Sequence, residues 1–474
     1  LHNRSGAADR FRSEFFTDLD VQTVIDLSPL RKGLFGAAIS PAVIAVYGLA
    51  DQVPREHLLH VSPRRTPISE IVDGIVIPQQ NIQRISRATA RSNPWVWKTL
   101  LWGGAADVTL VSHLRESFYP LLVHAERRGW THGAGFQERG GDLNDASHLH
   151  DIPRIRTRDV GAMLAPTELL PATDAKAMHR PRDGKIFLAP HILLRNGFAR
   201  APIAAYAPYD AAFPDGLFAI AGQADDARHL SAVAAVLNSS IAHYWYFMTA
   251  SSWGVEREKV ELQEWLGLPM PVLDPAAVSN LADITSSAAG GTSESSWRPA
   301  LDELVADAYA LSPSERQLIS DAMNIRLSEF RDGPESNAYQ APDSADFDLY
   351  ARALKAEMDA LPLDEWLVEV TEKRDDFARV TCTQVAFTEI GAVGADEVTA
   401  RAGSGRFTVA GLLGEDDPIL NESLSSATIV EPQAVVLDGN RIHIVKPNRR
   451  SCWTVSSATQ DAADVFGALV GRDV

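Results

Sequence analysis

From Val21 to Gly48 two apolar runs flank a basic break. Val21, Val24, Ile25 and Leu27 make the first run, and Val43, Ile44, Val46 and Tyr47 the second. β-Branched residues dominate both, which predicts two strands joined by a short turning segment. Arg31, Lys32 and Phe35 lie in that segment. It reads either as a solvated connection between buried strands or as a loop that presents an aromatic ring beside two cations. Ahead of it, Ala7 to Phe16 predicts an amphipathic helix with Phe11, Phe15 and Phe16 on its apolar side.

The pattern changes beyond residue 62. From about Val61 to Asp274 tryptophans recur, and basic residues cluster at Arg84, Arg87, Arg91 and Lys98 and again from Arg154 to Arg200. The apolar stretch Leu230 to Ala250 is broken by Asn238 and His243, and predicts a buried helix rather than a membrane span. Residues 275–299 are rich in Ser and Gly, which predicts a flexible linker. Helical spacing returns at Leu301, Leu304, Val305 and Ala308. Ser312-Pro313-Ser314-Glu315 is a capping box that starts a new helix. A further helix is expected over Phe347–Leu361. Beyond Lys373, Arg406–Leu412, Ala434–Leu437 and Arg441–Val445 read as strands, the last two joined at Asp438-Gly439, and Ala458–Val470 as a closing helix.

Length and charge refine this picture. A chain of 474 residues exceeds one ordinary core. Net charge is −18, which argues against a simple nucleic-acid binder, but it is unevenly spread. Residues 1–300 hold 29 basic and 31 acidic residues, leaving 15 and 31 for the remainder. The first part can therefore present basic faces to phosphate, whereas the second is an acidic body that DNA would avoid. Cys382 and Cys452 are too few for a disulfide framework or a cysteine-rich zinc site, so a reducing cytoplasm is expected and both read as buried small hydrophobes. No signal peptide or membrane span is expected, and the first residue, Leu1, reads as the start of a fragment or processed product.

Ordered motifs add a resemblance. Arg12 to Phe16, Val21 to Leu27, Arg31 to Phe35 and Pro41 to Tyr47 follow one another without gaps. Together they resemble the late motifs of adenine-N6 DNA methyltransferases of the fused restriction–modification type. Leu237-Asn238-Ser239, Ser252-Trp253-Gly254 and Leu268-Pro269-Met270-Pro271 resemble the target-recognition domains of such enzymes and of type I specificity subunits. The resemblance implies an α/β chain: the tail of a Rossmann-like methyltransferase fold (residues 1–62), a mixed α/β target-recognition domain (63–274), a linker (275–299), a helical spacer (300–372) and a small acidic α/β accessory domain (373–474). It implies that Phe35 stacks on a flipped adenine beside Arg31 and Lys32. DNA contacts are expected at Arg195, Trp253, Arg257 and Lys259.

The rest of the chemistry is not found in the sequence. The resemblance implies an Asn-Pro-Pro-aromatic loop that holds the amine of a base drawn out of the duplex, and a glycine-rich turn after a strand for S-adenosylmethionine. Asn93-Pro94-Trp95 lacks the second proline and comes after the late motifs. Gly133-Ala134-Gly135-Phe136 does not follow an apolar strand and reads as a loop of the recognition domain. The expectation is a chain inactive alone, with no cofactor and no metal of its own. S-adenosylmethionine then belongs to the complete enzyme. The expected partners are double-stranded DNA and an upstream methyltransferase half or a separate catalytic subunit. The alternative is a free-standing DNA specificity subunit.

Overall fold

The structure is a computed structural model that describes all residues except 1, 3–5, 35–39, 50–54, 68, 70–73, 290–292, 361–365, 375–376, 385–427, 432, 439 and 471–474. It mixes helices with several small sheets, as an α/β chain does. The chain forms two compact units, Leu1–Val108 with Ser320–Val474, and Thr109–Ile319. These divisions differ from the sequence-based ones at residues 62 and 274, because the first sheet runs on past residue 62.

In the first unit, helix α1 (Gly6–Asp18) leads into β1 (Leu19–Asp26), followed by β2 (Val43–Leu49), β3 (His57–Val61), β4 (Ile75–Pro78) and β5 (Ile82–Ser86). Four of these make a sheet in the order β2-β1-β3-β5, with β1 antiparallel to β2 and parallel to β3. The two strands predicted around the basic break are therefore present. β1 is central, and Val21 and Val24 are buried. β2 is the edge and leaves Val43, Ile44, Tyr47 and Leu49 exposed. Arg87, one of the first basic cluster, is a clamp: it donates to the carbonyls of Phe16, Leu19 and Arg55 and to Asp20 Oδ1. Lys98 is buried.

The second unit contains β6 (Thr131–Ala134), β7 (Asn144–Asp145), β8 (Met163–Leu164), β9 (Ala177–Met178), β10 (His191–Arg195), β11 (Ala204–Ala207) and β12 (Leu217–Ala221). Five of them form a sheet in the order β6-β12-β10-β11-β8. β12 is buried along its whole length, as a central strand covered on both faces should be.

The Leu230–Ala250 run is two helices, α2 (Ala227–Leu237) and α3 (Ser240–Thr249), not one. Asn238 explains the break. Its amide donates to the Ala204 and Ala234 carbonyls, both at 2.7 Å, and Ser239 Oγ then caps α3 by accepting from the Ala242 amide.

The predicted linker is also overturned. Pro275–Ala289 is helix α4, and α5 runs from Glu294 to Ala308. Asp274 caps α4 ahead of Pro275, accepting from the Ala277 amide at 2.7 Å. Leu281, Ala282 and Thr285 make a buried stripe at helical spacing. Ser286 and Ser287 return their hydroxyls to carbonyls one turn back, so they are tolerated in the helix.

His124 and His229 meet in this unit, Nε2 to Nε2 at 2.9 Å, with rings nearly parallel at 14°. One ring must donate and the other accept, so at least the accepting ring is neutral, and burial lowers the pKa of both rings. Burial, with Arg128 and His124 adding to it, lowers the His229 pKa to about 4. The unfolded chain binds a proton there near the ordinary value of 6.5 and the folded chain does not. Stability is therefore full above about pH 6.5 and falls between about 6.5 and 4. Thermal melts should show this loss in wild type. A His229→Gln variant should show a shallower fall, and an unchanged pH profile would refute the assignment.

The predicted capping box is present near the end of the second unit, ahead of the helix Pro313–Asp321: Glu315 Oε2 accepts from the Ser312 amide at 2.8 Å, and Ser312 Oγ accepts from the Glu315 amide at 3.3 Å. From Ser320 the chain returns to the first unit. Beyond that helix lie α6 (Ser344–Asp359), β13 (Trp366–Lys373), β14 (Phe377–Gln384), β15 (Thr428–Glu431), β16 (Ala434–Asp438), β17 (Arg441–Pro447) and α7 (Val455–Val470). A second sheet of this unit has the order β13-β14-β17-β16, and β15 pairs in parallel with β4. The strand expected at Arg406–Leu412 lies outside the described residues. Both cysteines are free and buried.

At the centre of this second core Lys446 Nζ meets Asp461 Oδ2, and both side chains are 2% exposed. Tyr350 donates to the same carboxylate oxygen at 2.6 Å and Gln433 to the other at 2.8 Å. The Lys446 ammonium also lies 4.7 Å from the centroids of Tyr350 and Trp453. Removing one charge strands the other without water. Asp461→Ala should destabilise this unit by roughly 3–5 kcal/mol. Lys446→Met with Asp461→Leu should recover most of that in chemical denaturation. A single variant as stable as wild type would refute the pairing.

Candidate nucleic-acid interface

The candidate site lies at one end of the five-stranded sheet in the second unit. Register defines that end: Ala134 pairs with Phe218, Leu194 pairs with Phe218 and Ala204, and Arg195 pairs with Leu217. So β6 and β10 finish where β12 begins. Chain segments leaving these ends are stitched by their backbones. Gly135 N donates to Leu217 O, Phe136 N to Phe213 O, and Asp215 N to Phe136 O, at 2.9, 2.9 and 3.0 Å. Asn196 N donates to Gly216 O at 3.1 Å, and Val260 N to Asn196 O at 3.1 Å.

This seam needs glycine at 135. A Cβ built there would lie 2.3 Å from the carbonyl oxygens of both Phe213 and Pro214. Those atoms are backbone and cannot turn away. The same closeness excludes a cofactor cradle at Gly133–Phe136, because the space a ligand would need is filled by chain. The residues here do not fit S-adenosylmethionine. The loop expected over Gly133–Phe136 is corrected in part, because Gly133 and Ala134 belong to β6, paired with Ala219 and Phe218, and only Gly135 and Phe136 lie beyond its end. Asn93 sits at the turn between two short helices, and Trp95 is buried. Among the described residues no group of three metal-ligating side chains converges.

Beside the seam opens a cleft of about 450 Å³. Arg139, Arg154 and Arg156 line it together with Gln137, Glu138, Thr157 and Asp215, over a floor that includes Phe136, Ile155 and Pro214. Arg154 Nη1 lies 3.7 Å from Glu138, and Arg156 Nε 2.5 Å from Asp159. Arg139 is exposed and makes no ion pair among the described residues. Arg154 and Arg156 belong to the second basic cluster of the sequence. Arg139 precedes that cluster, and neither Gln137 nor Asp215 carries a local signal, because only the fold brings them together.

The residues expected to touch DNA fall differently. Arg195 ends β10 and is half-buried at this same sheet end. Lys259 is carried there by a backbone bridge to Gly197, and its Nζ pairs with Glu261 at 2.5 Å. Arg257 is exposed two residues earlier. The structure thus brings Arg195 and Lys259 together beside the seam. Trp253 is a correction: it is fully buried, edge-on to Phe198 at 5.2 Å and to Phe247 at 5.5 Å, and so holds the 252–260 segment rather than offering a ring to a ligand. Arg31 is also turned inward, donating to Ser28 O at 3.1 Å. It lies with Lys32 in a short helix of the other unit, Arg31–Leu34. Phe35 lies outside the described residues.

No family model and no curated protein matches the sequence. A solved structure described as the structural basis of complex assembly and conformational transition of a type I restriction–modification system is similar at a coarse level. It shows 13% identity and a TM-score of 0.22, over 41% of this chain and 43% of that one. So loose a superposition carries no argument here, and the functional reading rests on the site. Among the described residues no helix is long and apolar enough to cross a membrane.

Gly135→Ala tests the seam. Its methyl group forces apart two backbones, and overpacking of this kind costs roughly 1–3 kcal/mol. The melting temperature of the variant should fall. A variant as stable as wild type would show that the seam is loose.

Proposed function

We propose that this chain is the DNA-recognising part of an S-adenosylmethionine-dependent adenine-N6 DNA methyltransferase of a restriction–modification or phage-defence system. One observation carries the DNA-binding half of that reading: a cleft lined by Arg139, Arg154 and Arg156 at the sheet end where β10 finishes in Arg195. Guanidinium groups gathered on one concave surface suit phosphate, which they grip in a planar fork. The ordered motifs from Arg12 to Tyr47 carry the methyltransferase half. The catalytic loop and the methyl donor belong to polypeptide other than this chain, in the same protein or in a partner. Among the described residues β2 is an edge strand that exposes Val43, Ile44, Tyr47 and Leu49, and such an edge is suited to receive it.

DNA binding is testable without catalysis. The chain should bind duplex DNA with an affinity that falls as salt rises, by about 0.9 in the log–log slope per phosphate contact. Replacing Arg139 and Arg156 with alanine should lower the slope by roughly 1.8 if both meet phosphate. Both side chains are solvent-facing, so the melting temperature should hold. Wild-type protein that ignores duplex DNA at low salt would sink the reading.

A further inference from the structure

Within the cleft one polar pair is held in a single orientation. Gln137 Nε2 donates to Asp215 Oδ2 at 2.6 Å. A carboxylate only accepts, so the contact decides which end of the amide faces it: nitrogen toward Asp215, oxygen away. The backbones on either side are fixed as well. Gln137 exchanges two main-chain bonds with Arg180, at 2.9 and 3.0 Å, and the Asp215 amide is tied to Phe136 O at 3.0 Å. Phe136 itself is 4% exposed and anchors the strand end in the core. The side chain is thus presented from an immobile base, in a known flip, to an open cleft.

What remains unused is specific. Gln137 keeps one N–H donor and the carbonyl acceptor in one plane, and the two lie side by side when Asp215 takes the N–H that points away from the carbonyl. Adenine's major-groove edge offers the complement, an N7 acceptor beside an N6 amine donor. Guanine offers two acceptors there, and the pyrimidines offer one polar group each. We infer that Gln137, oriented by Asp215, reads an adenine base in the major groove of bound duplex DNA. Asp215 is the positioning residue, and Arg139, Arg154 and Arg156 hold the flanking backbone without reading sequence. The inference rests on the DNA-binding reading above and adds to it a base and an edge.

The experiment is selection from a randomised duplex library by the full-length chain, followed by titration of the selected duplex. Gln137→Ala should lose preference at one A·T position by about thirtyfold, the middle of the range for a bidentate base contact. Its affinity for unselected duplex should stay within about twofold, because the arginines remain. Replacing that adenine with 7-deazaadenine removes N7 alone. Wild type should bind the substituted duplex several-fold more weakly, and Gln137→Ala should not distinguish the two. Asp215→Asn frees the amide to turn over, so the preference should weaken while the melting temperature holds. Gln137→Ala that keeps every base preference, or wild type indifferent to 7-deazaadenine, overturns the inference and leaves DNA binding standing. Wild type that binds duplex with no preference at all also overturns it. Wild type that binds no duplex overturns the broader reading as well.

Discussion

Much of the candidate site depends on one contact between backbones, the approach of Gly135 to Phe213 and Pro214. Strand ends ordinarily diverge into loops, and loops on a surface are mobile. Here three main-chain bonds close the gap between the segment after β6 and the one before β12. A fourth ties in Asn196 after β10. Three strand ends then behave as one platform. Side chains that would wander on separate loops keep fixed separations, and a polar pair such as Gln137 and Asp215 can hold one geometry. Rigid presentation lowers the entropy lost when a ligand is bound.

Arginine serves two purposes in this chain, and burial separates them. Arg87 spends its guanidinium on three carbonyls and Asp20. Arg64 is 3% exposed, donates to Leu101 O and the Ser62 hydroxyl, and lies 4.5 Å from the Trp102 ring centroid. These groups are consumed by the fold, where five donors in a rigid fork close gaps that lysine could not. Arg139 and Arg156 keep their heads in solvent. A linear count of basic residues gives both kinds equal weight.

That difference explains what could be read from the sequence. The strands at Val21 and Val43, the helix opened by the Ser312 capping box, the hairpin strands on either side of Asp438-Gly439 and the closing helix each depend on local spacing, and each is present. Where tertiary packing decides, local signals misled. Ser and Gly at 275–299 suggested a linker, yet a stripe of Leu281, Ala282 and Thr285 packs the segment as helix. Trp253 beside basic residues suggested an exposed ring, yet aromatic neighbours from other segments enclose it. Arg195 drew notice as the residue that follows the apolar Phe187–Leu194 run, and Lys259 as a basic residue just after Trp253. The pairing of Gln137 with Asp215 spans 78 residues and exists only once β6 and β12 are side by side.

The overall charge of −18 does not oppose a basic interface. Salt confines the influence of an exposed charge to roughly 8–10 Å under physiological conditions. Acidic groups farther away than that are screened from a phosphate at the cleft. Three carboxylates at or beside the cleft are partly answered: Glu138 faces Arg154, Asp159 is shared by Arg156 and Arg158, and Asp215 accepts from Gln137. A carboxylate in such a setting also repels backbone phosphate that approaches out of register. It therefore favours a base edge over phosphate at its own position. Net negative charge elsewhere lowers non-specific attraction to DNA in bulk. On the DNA-binding reading proposed above, an acidic chain with an arginine-lined cleft would give up some affinity for DNA in general and gain discrimination between sites.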